Sequence, residues 1–152
     1  LMGERSPIND TKVRGAFLGL SSDTKKEEMT LAVLEGVAFA LRQNIDIIRS
    51  LGVEIEKSKV CGGGAKNKLW LEILATVLNL ELLIPALEHG GVLGAAMLAA
   101  KSTLSAEEYG VTEANFYKIS SSVKPNKDLK EYYERKYQSF LKLYPAIKEI
   151  EI

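Results

Sequence analysis

The stretch VEIEKSKVCGGGAKNKLWLEILATVLNLELLIP, residues 53–85, decides the fold. Val53 to Cys61 reads as the approach to a strand, and Cys61-Gly62-Gly63-Gly64-Ala65 ends it in a turn. From Lys66 to Leu78, the residues Leu69, Trp70, Ile73, Leu74, Val77 and Leu78 share one face at helical spacing, and Asn79, which tolerates the left-handed conformation, stops the helix. Leu80 to Ile84 is a short apolar run closed by Pro85, the pattern of a buried strand. Gly90 to Ala100 then reads as a helix of small residues. Strand and helix alternate twice, which predicts an α/β arrangement with parallel strands. So few strands leave the sheet incomplete unless other sequence supplies more.

Upstream, residues 1–23 are punctuated by Gly3, Pro7, Asn9, Asp10, Gly15 and Gly19 and read as loop. Thr24 with Glu27 has the spacing of a capping box, so a long helix is expected from residue 24 to residue 51. Its apolar set, Met29, Val33, Val37, Leu41, Ile45 and Ile48, is widened by Leu34, Ala38 and Ala40, which predicts burial on two sides. Gly52 supplies a left-handed stop. Downstream, Ser105 with Glu108 marks a short helix start, residues 110–126 read as irregular, and Leu129, Tyr133, Phe140 and Tyr144 define a last helix from Lys127 to Tyr144 that ends at Pro145.

The 152 residues are 46% hydrophobic and 26% charged, an ordinary globular balance for one domain. Twenty basic against twenty acidic side chains give net charge +0, so no bulk field favours nucleic acid or an anionic membrane. No apolar run approaches the roughly 20 residues of a bilayer span. A single cysteine, Cys61, rules out an internal disulfide, and with only His89 beside it the usual metal spacings are missing. A cytoplasmic setting is the default. The opening LMGERSPIND lacks the apolar core of a signal peptide. Leu1 begins abruptly in a motif-like segment, which suggests a piece of a longer chain.

The glycine turn is the most informative local feature. Three residues without side chains let a ligand approach the backbone, and the helix start that follows presents free N–H groups and a positive dipole end, which suits a phosphate or nucleotide. No Gly-Lys-Ser/Thr follows, and the third glycine of G-x-G-x-x-G is missing. On chemistry alone, a plain, tight strand-to-helix turn fits at least as well as a nucleotide turn. Other candidates read as structural: Glu4, Arg5 and Asp10 as a loop held by local bonds, Glu35 as a paired or solvated acid, and Gly36 as a close helix contact. His89 reads as a capping or solvated side chain, Cys61 as a buried strand-end thiol, and Tyr132, Tyr133, Tyr137 and Tyr144 as packing or a subunit interface.

Four separated motifs then add up to a resemblance. GERSPINDTKVRGAFLGL, LAVLEGVAFALRQNIDIIRSLG, CGGGAKNKLWLEILATVLNLELLIP and GGVLGAAMLAA follow one another as in the C-terminal domain of the FGGY carbohydrate kinases, the chain being most similar to the xylulose kinases. The resemblance implies the C-terminal part of an actin-like, ribonuclease H-like ATPase fold, helix-rich with an incomplete, mostly parallel sheet. Residues 1–152 would be the nucleotide-binding lobe, with the N-terminal lobe absent from the chain. It implies ATP with Mg2+ as cofactor and phosphorylation of D-xylulose, bound mainly by the missing lobe. Gly62, Gly63, Gly64 and Ala65 would contact the nucleotide, joined by Asn67 or Lys68. At Thr76 many members carry an aspartate. The family's catalytic aspartate would lie upstream of Leu1, so no catalytic or metal-binding residue is expected here and the chain alone is expected to be inert. Gluconate, glycerol and ribulose kinases are the alternatives within the family. A noncatalytic module dimerising through the aromatic C-terminal helix is the alternative outside it.

Overall fold

A computed structural model of the chain describes residues 3–86, 90–116 and 118–150, so His89 lies outside the described residues. Helix α1 (Lys26–Ser50) is followed by strand β1 (Lys57–Lys59), a 3-10 turn at Gly63–Lys66, helix α2 (Lys68–Leu78) and strand β2 (Glu81–Pro85). Helices α3 (Gly90–Thr103) and α4 (Ala106–Phe116), strand β3 (Ile119–Val123), a 3-10 turn at Lys127–Leu129 and helices α5 (Lys130–Phe140) and α6 (Leu143–Ile147) complete it.

Helix boundaries follow local chemistry. The α1 cap sits one residue later than the Thr24–Glu27 spacing suggests: the Glu28 carboxylate accepts from the Lys25 N–H at 2.8 Å, while the Thr24 hydroxyl is taken by the Ser21 N–H at 2.9 Å. Gly52 at φ +81° donates its N–H to the Arg49 carbonyl, and Asn79 at φ 51° caps α2. The Ser105–Glu108 pair starts α4 as read, with the Ser105 hydroxyl 2.7 Å from the carboxylate. Pro145 does not end the last helix; α5 stops at Phe140, and Pro145 lies in the first turn of α6, where its missing N–H costs nothing.

The sheet has the order β1-β2-β3. The pair β1–β2 is parallel, with Lys57 opposite Glu81, and β2–β3 is antiparallel, with Leu82 opposite Val123. The sheet is therefore mixed, with one parallel pair rather than mostly parallel pairing, and the stretch 110–126, expected irregular, holds the end of α4 and the whole of β3. The sequence ISSSV conceals β3 because serines are weak strand formers. The strand is held through β2, with the Ser120 hydroxyl donating to the Ile84 carbonyl at 2.9 Å and Ser122 to the Glu81 carboxylate at 2.8 Å.

The core lies where α2 packs between the sheet, α1 and α5. Leu71, Ile73, Leu74, Ala75, Val77 and Leu78 of α2 are buried with Leu80 and Leu82, Ala38 and Phe39 of α1, and Tyr133 and Tyr137 of α5. The Phe39 ring lies 5.4 to 6.3 Å from those of Tyr133, Tyr137 and Phe140. Around this cluster, Tyr137 donates to Asp46 at 2.8 Å, Arg42 pairs with Glu134, and buried Glu35 accepts from Lys136 at 2.6 Å. Thr76 ties α2 to the last helices, its hydroxyl donating to the Glu72 carbonyl and accepting from the Asn126 N–H at 3.1 Å. Glu4 and Asp10 hold the N-terminal loop through backbone N–H groups, as read, and Tyr144 adds a bond to Asp10 at 2.9 Å.

Two expectations for α1 change. Only one of its sides is buried: Val33, Val37, Leu41 and Ile48 form a stripe of which 37 to 53% of each residue is exposed. A Cβ added at Gly36 would meet nothing within 4 Å, so this glycine is no close helix contact.

Candidate nucleotide site

Parallel β1 and β2 run in the same direction, so the segments leaving their C-terminal ends emerge side by side, the usual place for a ligand in an α/β sheet. From β1, Val60 continues the ladder by donating to the Leu83 carbonyl at 3.0 Å. The chain then reverses at Gly62, whose φ of +89° is open to glycine and costly for other residues. From β2, Pro85 and Ala86 lead toward α3, whose Gly90 approaches Cys61 so closely that an added Cβ would lie 3.2 Å from the sulfur. Between Cys61–Gly62, Ala65 and Ile84–Ala86 lies a small cleft of about 130 Å³, and Cys61 at its edge is exposed rather than buried, because β1 is an outer strand of the sheet.

Gly62, Gly63 and Gly64 are exposed and Ala65 half-buried, and of the four only Gly62 and Ala65 line this cleft, Gly63 and Gly64 lying outside its wall. The first-turn amides of Gly63 and Gly64 have no intrahelical acceptor upstream. Added Cβ atoms at Gly62 and Gly63 would meet nothing within 4 Å among the described residues, so the backbone presented there carries no side-chain cover from them. Gly64 differs: its Cβ would lie 3.1 Å from Cδ1 and Nε1 of Trp70. Asn67 caps α2, its Oδ1 accepting from the Trp70 N–H at 3.1 Å, which leaves its amide nitrogen as the group able to reach outward. Lys68 is exposed at the first position of α2.

Charge follows the same logic. Helices α1, α4 and α5 place Glu27, Glu28, Glu107, Glu108 and Glu131 in their first turns, where carboxylates complement the dipole. The first turn of α2 has no acid and is flanked by Lys66 and Lys68, which leaves a positive end suited to an anion. Among the described residues no three His, Cys, Asp or Glu side chains converge on a metal position. No helix of the described residues is long and apolar enough to cross a membrane.

The sequence does not signal the share of Ile84–Ala86 in the cleft; it follows from the parallel pairing of β1 with β2. Trp70 reads from its spacing as a core residue, and its contact with Gly64 depends on how the turn folds back over α2.

Comparisons with known proteins identify the family. The model for the C-terminal domain of the FGGY family of carbohydrate kinases matches residues 1–103. A xylulose kinase of Staphylococcus epidermidis is 32% identical over 150 residues, covering 99% of this chain and 30% of the relative. A ribulokinase of Shouchella clausii is 35% identical, covering 93% of this chain and 26% of the relative. The crystal structure of a xylulose kinase from Brucella ovis superposes with a TM-score of 0.82 at 36% identity, covering 97% of this chain and 30% of that one. The chain thus spans about 30% of the length of the relatives it matches most fully. With the glycine turn at the head of α2, the parallel pair beneath it and a family match over two thirds of its length, the chain belongs to the FGGY family of carbohydrate kinases.

Proposed function

We propose that this chain is the nucleotide-binding lobe of a kinase that transfers the γ-phosphoryl of ATP to a hydroxyl of D-xylulose. The observation that carries the reading is the bare glycine turn at the C-terminal end of the parallel pair, with no described residue within 4 Å of the Cβ positions of Gly62 and Gly63 and no acid in the first turn of the adjoining helix. Its residues fit a nucleotide: the turn amides donate to anionic oxygens, Lys66 and Lys68 add positive charge, and Asn67 offers an amide. They do not fit Mg2+, since no carboxylate set converges among the described residues, and its ligands are assigned to the rest of the protein. ATP supplies the phosphoryl group when bound. The chain's own work is to hold and orient the nucleotide, and a base and a sugar site must come from outside it.

D-xylulose is favoured over other sugars by the xylulose kinases among the relatives, and the ribulokinase relative makes ribulose the second reading. The test is ADP formation by the intact protein with D-xylulose, ribulose, gluconate and glycerol. The highest kcat/KM is expected with D-xylulose, and a clear preference for another polyol would reassign the substrate. Gly63→Val tests the site: it is expected to raise the ATP KM while leaving the sugar KM and melting temperature near their original values. An unchanged ATP KM would remove the turn from the nucleotide site.

A further inference from the structure

Gly64, Asn67 and Trp70 close into a ring three residues apart at each step. The Gly64 carbonyl accepts from the Asn67 N–H at 3.1 Å, and the Asn67 side chain accepts from the Trp70 N–H at 3.1 Å. The Trp70 indole then returns beneath Gly64, with Cδ1 and Nε1 facing the position of its missing Cβ at 3.1 Å. Trp70 is half-buried and packs against the core formed by Leu71, Leu74 and their neighbours. The ring therefore joins an exposed turn to the rigid interior through one aromatic side chain. Gly63, one residue away, has nothing within 4 Å of its Cβ position, so the fixed side of the turn and the open side are distinct.

We infer that Trp70 is a positioning residue for the nucleotide: it sets the height of the Gly63–Gly64 backbone without touching the ligand. A turn built of glycines has little stiffness of its own, because each residue has a wide choice of backbone angles. Its amides can serve a bound phosphate only if something else fixes them. The indole edge does this from below, so close that a methyl group at Gly64 fits only if the ring gives way by a few tenths of an ångström. Asn67 serves the same ring through its cap, so its Oδ1 works toward Trp70 and not toward the ligand.

This inference rests on the reading of the turn as the nucleotide site, and the experiment separates the two. In the intact protein, Trp70→Phe keeps an aromatic ring in the core but withdraws the edge beneath Gly64, whereas Gly64→Ala pushes a methyl group against that edge. Each is expected to raise the ATP KM and the ATP Kd from calorimetry about tenfold, the loss expected when one turn amide no longer bonds an anionic phosphate oxygen. The sugar KM is expected to stay within about twofold for interactions made only with the nucleotide. Combined, the two substitutions fit each other, because the methyl occupies the space the indole edge leaves, and the ATP Kd is expected to return toward its original value. An unchanged ATP Kd in folded Trp70→Phe would overturn the inference, as would single effects that simply multiply. If Trp70→Phe does not fold, Trp70→Leu, which also removes the indole edge, takes its place beside Gly64→Ala: recovery of the ATP Kd in the double variant supports the role, and effects that simply multiply end it. Gly63→Val, which touches neither partner, is the control for the site itself. If it leaves ATP binding intact while Gly64 and Trp70 remain coupled in melting temperature, the nucleotide reading falls and the ring is purely structural.

Discussion

Neighbouring glycines in the turn have different work, and substitution should show it. Gly64→Val places a branched side chain against the Trp70 indole, and overpacking of this kind costs about 1–3 kcal/mol. Its expected outcome is a lower melting temperature together with a higher ATP KM, whereas Gly63→Ala should leave thermal unfolding unchanged; calorimetric melting of both variants checks this. A second residue-scale prediction concerns Glu35, which is 4% exposed and accepts from Lys136, with Oε1 lacking any hydrogen-bond partner. The Glu35 bond raises the Lys136 ammonium above its ordinary value although burial opposes the charge. Lys136→Met strands the carboxylate and is expected to cost about 2 kcal/mol, less than for a fully buried pair because the lysine is partly in water. Glu35→Gln should cost less, because it removes the charge with its cation still hydrated. Urea denaturation of the two variants compares them directly.

At the scale of elements, α1 is a helix with two faces of different fate. Ala38 and Phe39 are buried against α2 and α5, while Val33, Val37, Leu41 and Ile48 run along the other side with no cover among the described residues. A stripe of this kind promotes association in water. Val37→Lys is expected to lower self-association of the isolated chain in sedimentation without loss of helix content, since Lys is a good helix former. This also shows what the sequence could reveal. The strongly periodic elements, α1, α2 and α5, and the glycine turn between β1 and α2 were legible because burial and backbone demands repeat at fixed spacing. Strand β3 was not, because three of its residues are serines that gain their place from pairing with β2. The apolar girth of α1 was legible, but spacing shows only that a face is apolar, not whether the same chain covers it. At the site, the glycines and Asn67 could be read locally; the cleft wall from Ile84 to Ala86 and the ring through Trp70 are tertiary and leave no local mark.

Across the whole molecule, carboxylates tie distant segments together and make its stability sensitive to acid. Asp10 is held below its ordinary value of 3.8 by the Lys12 N–H and the Tyr144 hydroxyl. Glu81 and Glu134 lie below 4.5, the first through Ser122 and Lys57, the second through Gln138 and Arg42. A depressed carboxylate adds stability above its unfolded pKa and loses it as pH falls through the lower folded value. Stability is therefore expected to be level down to about pH 5 and to decline below pH 4.5, with the Asp10→Asn variant less acid-sensitive; denaturant midpoints measured across that range check it. The bond from Tyr144 to Asp10 spans 134 positions of sequence and has a consequence for inheritance as well as for stability. It brings the early loop and the final helices to one corner, so the polypeptide between them departs from and returns to a single place. A stretch exchanged between related proteins at these two points is expected to keep its ends together when the Tyr144–Asp10 bond is kept, and the melting temperature of such a graft with and without Tyr144→Phe checks it.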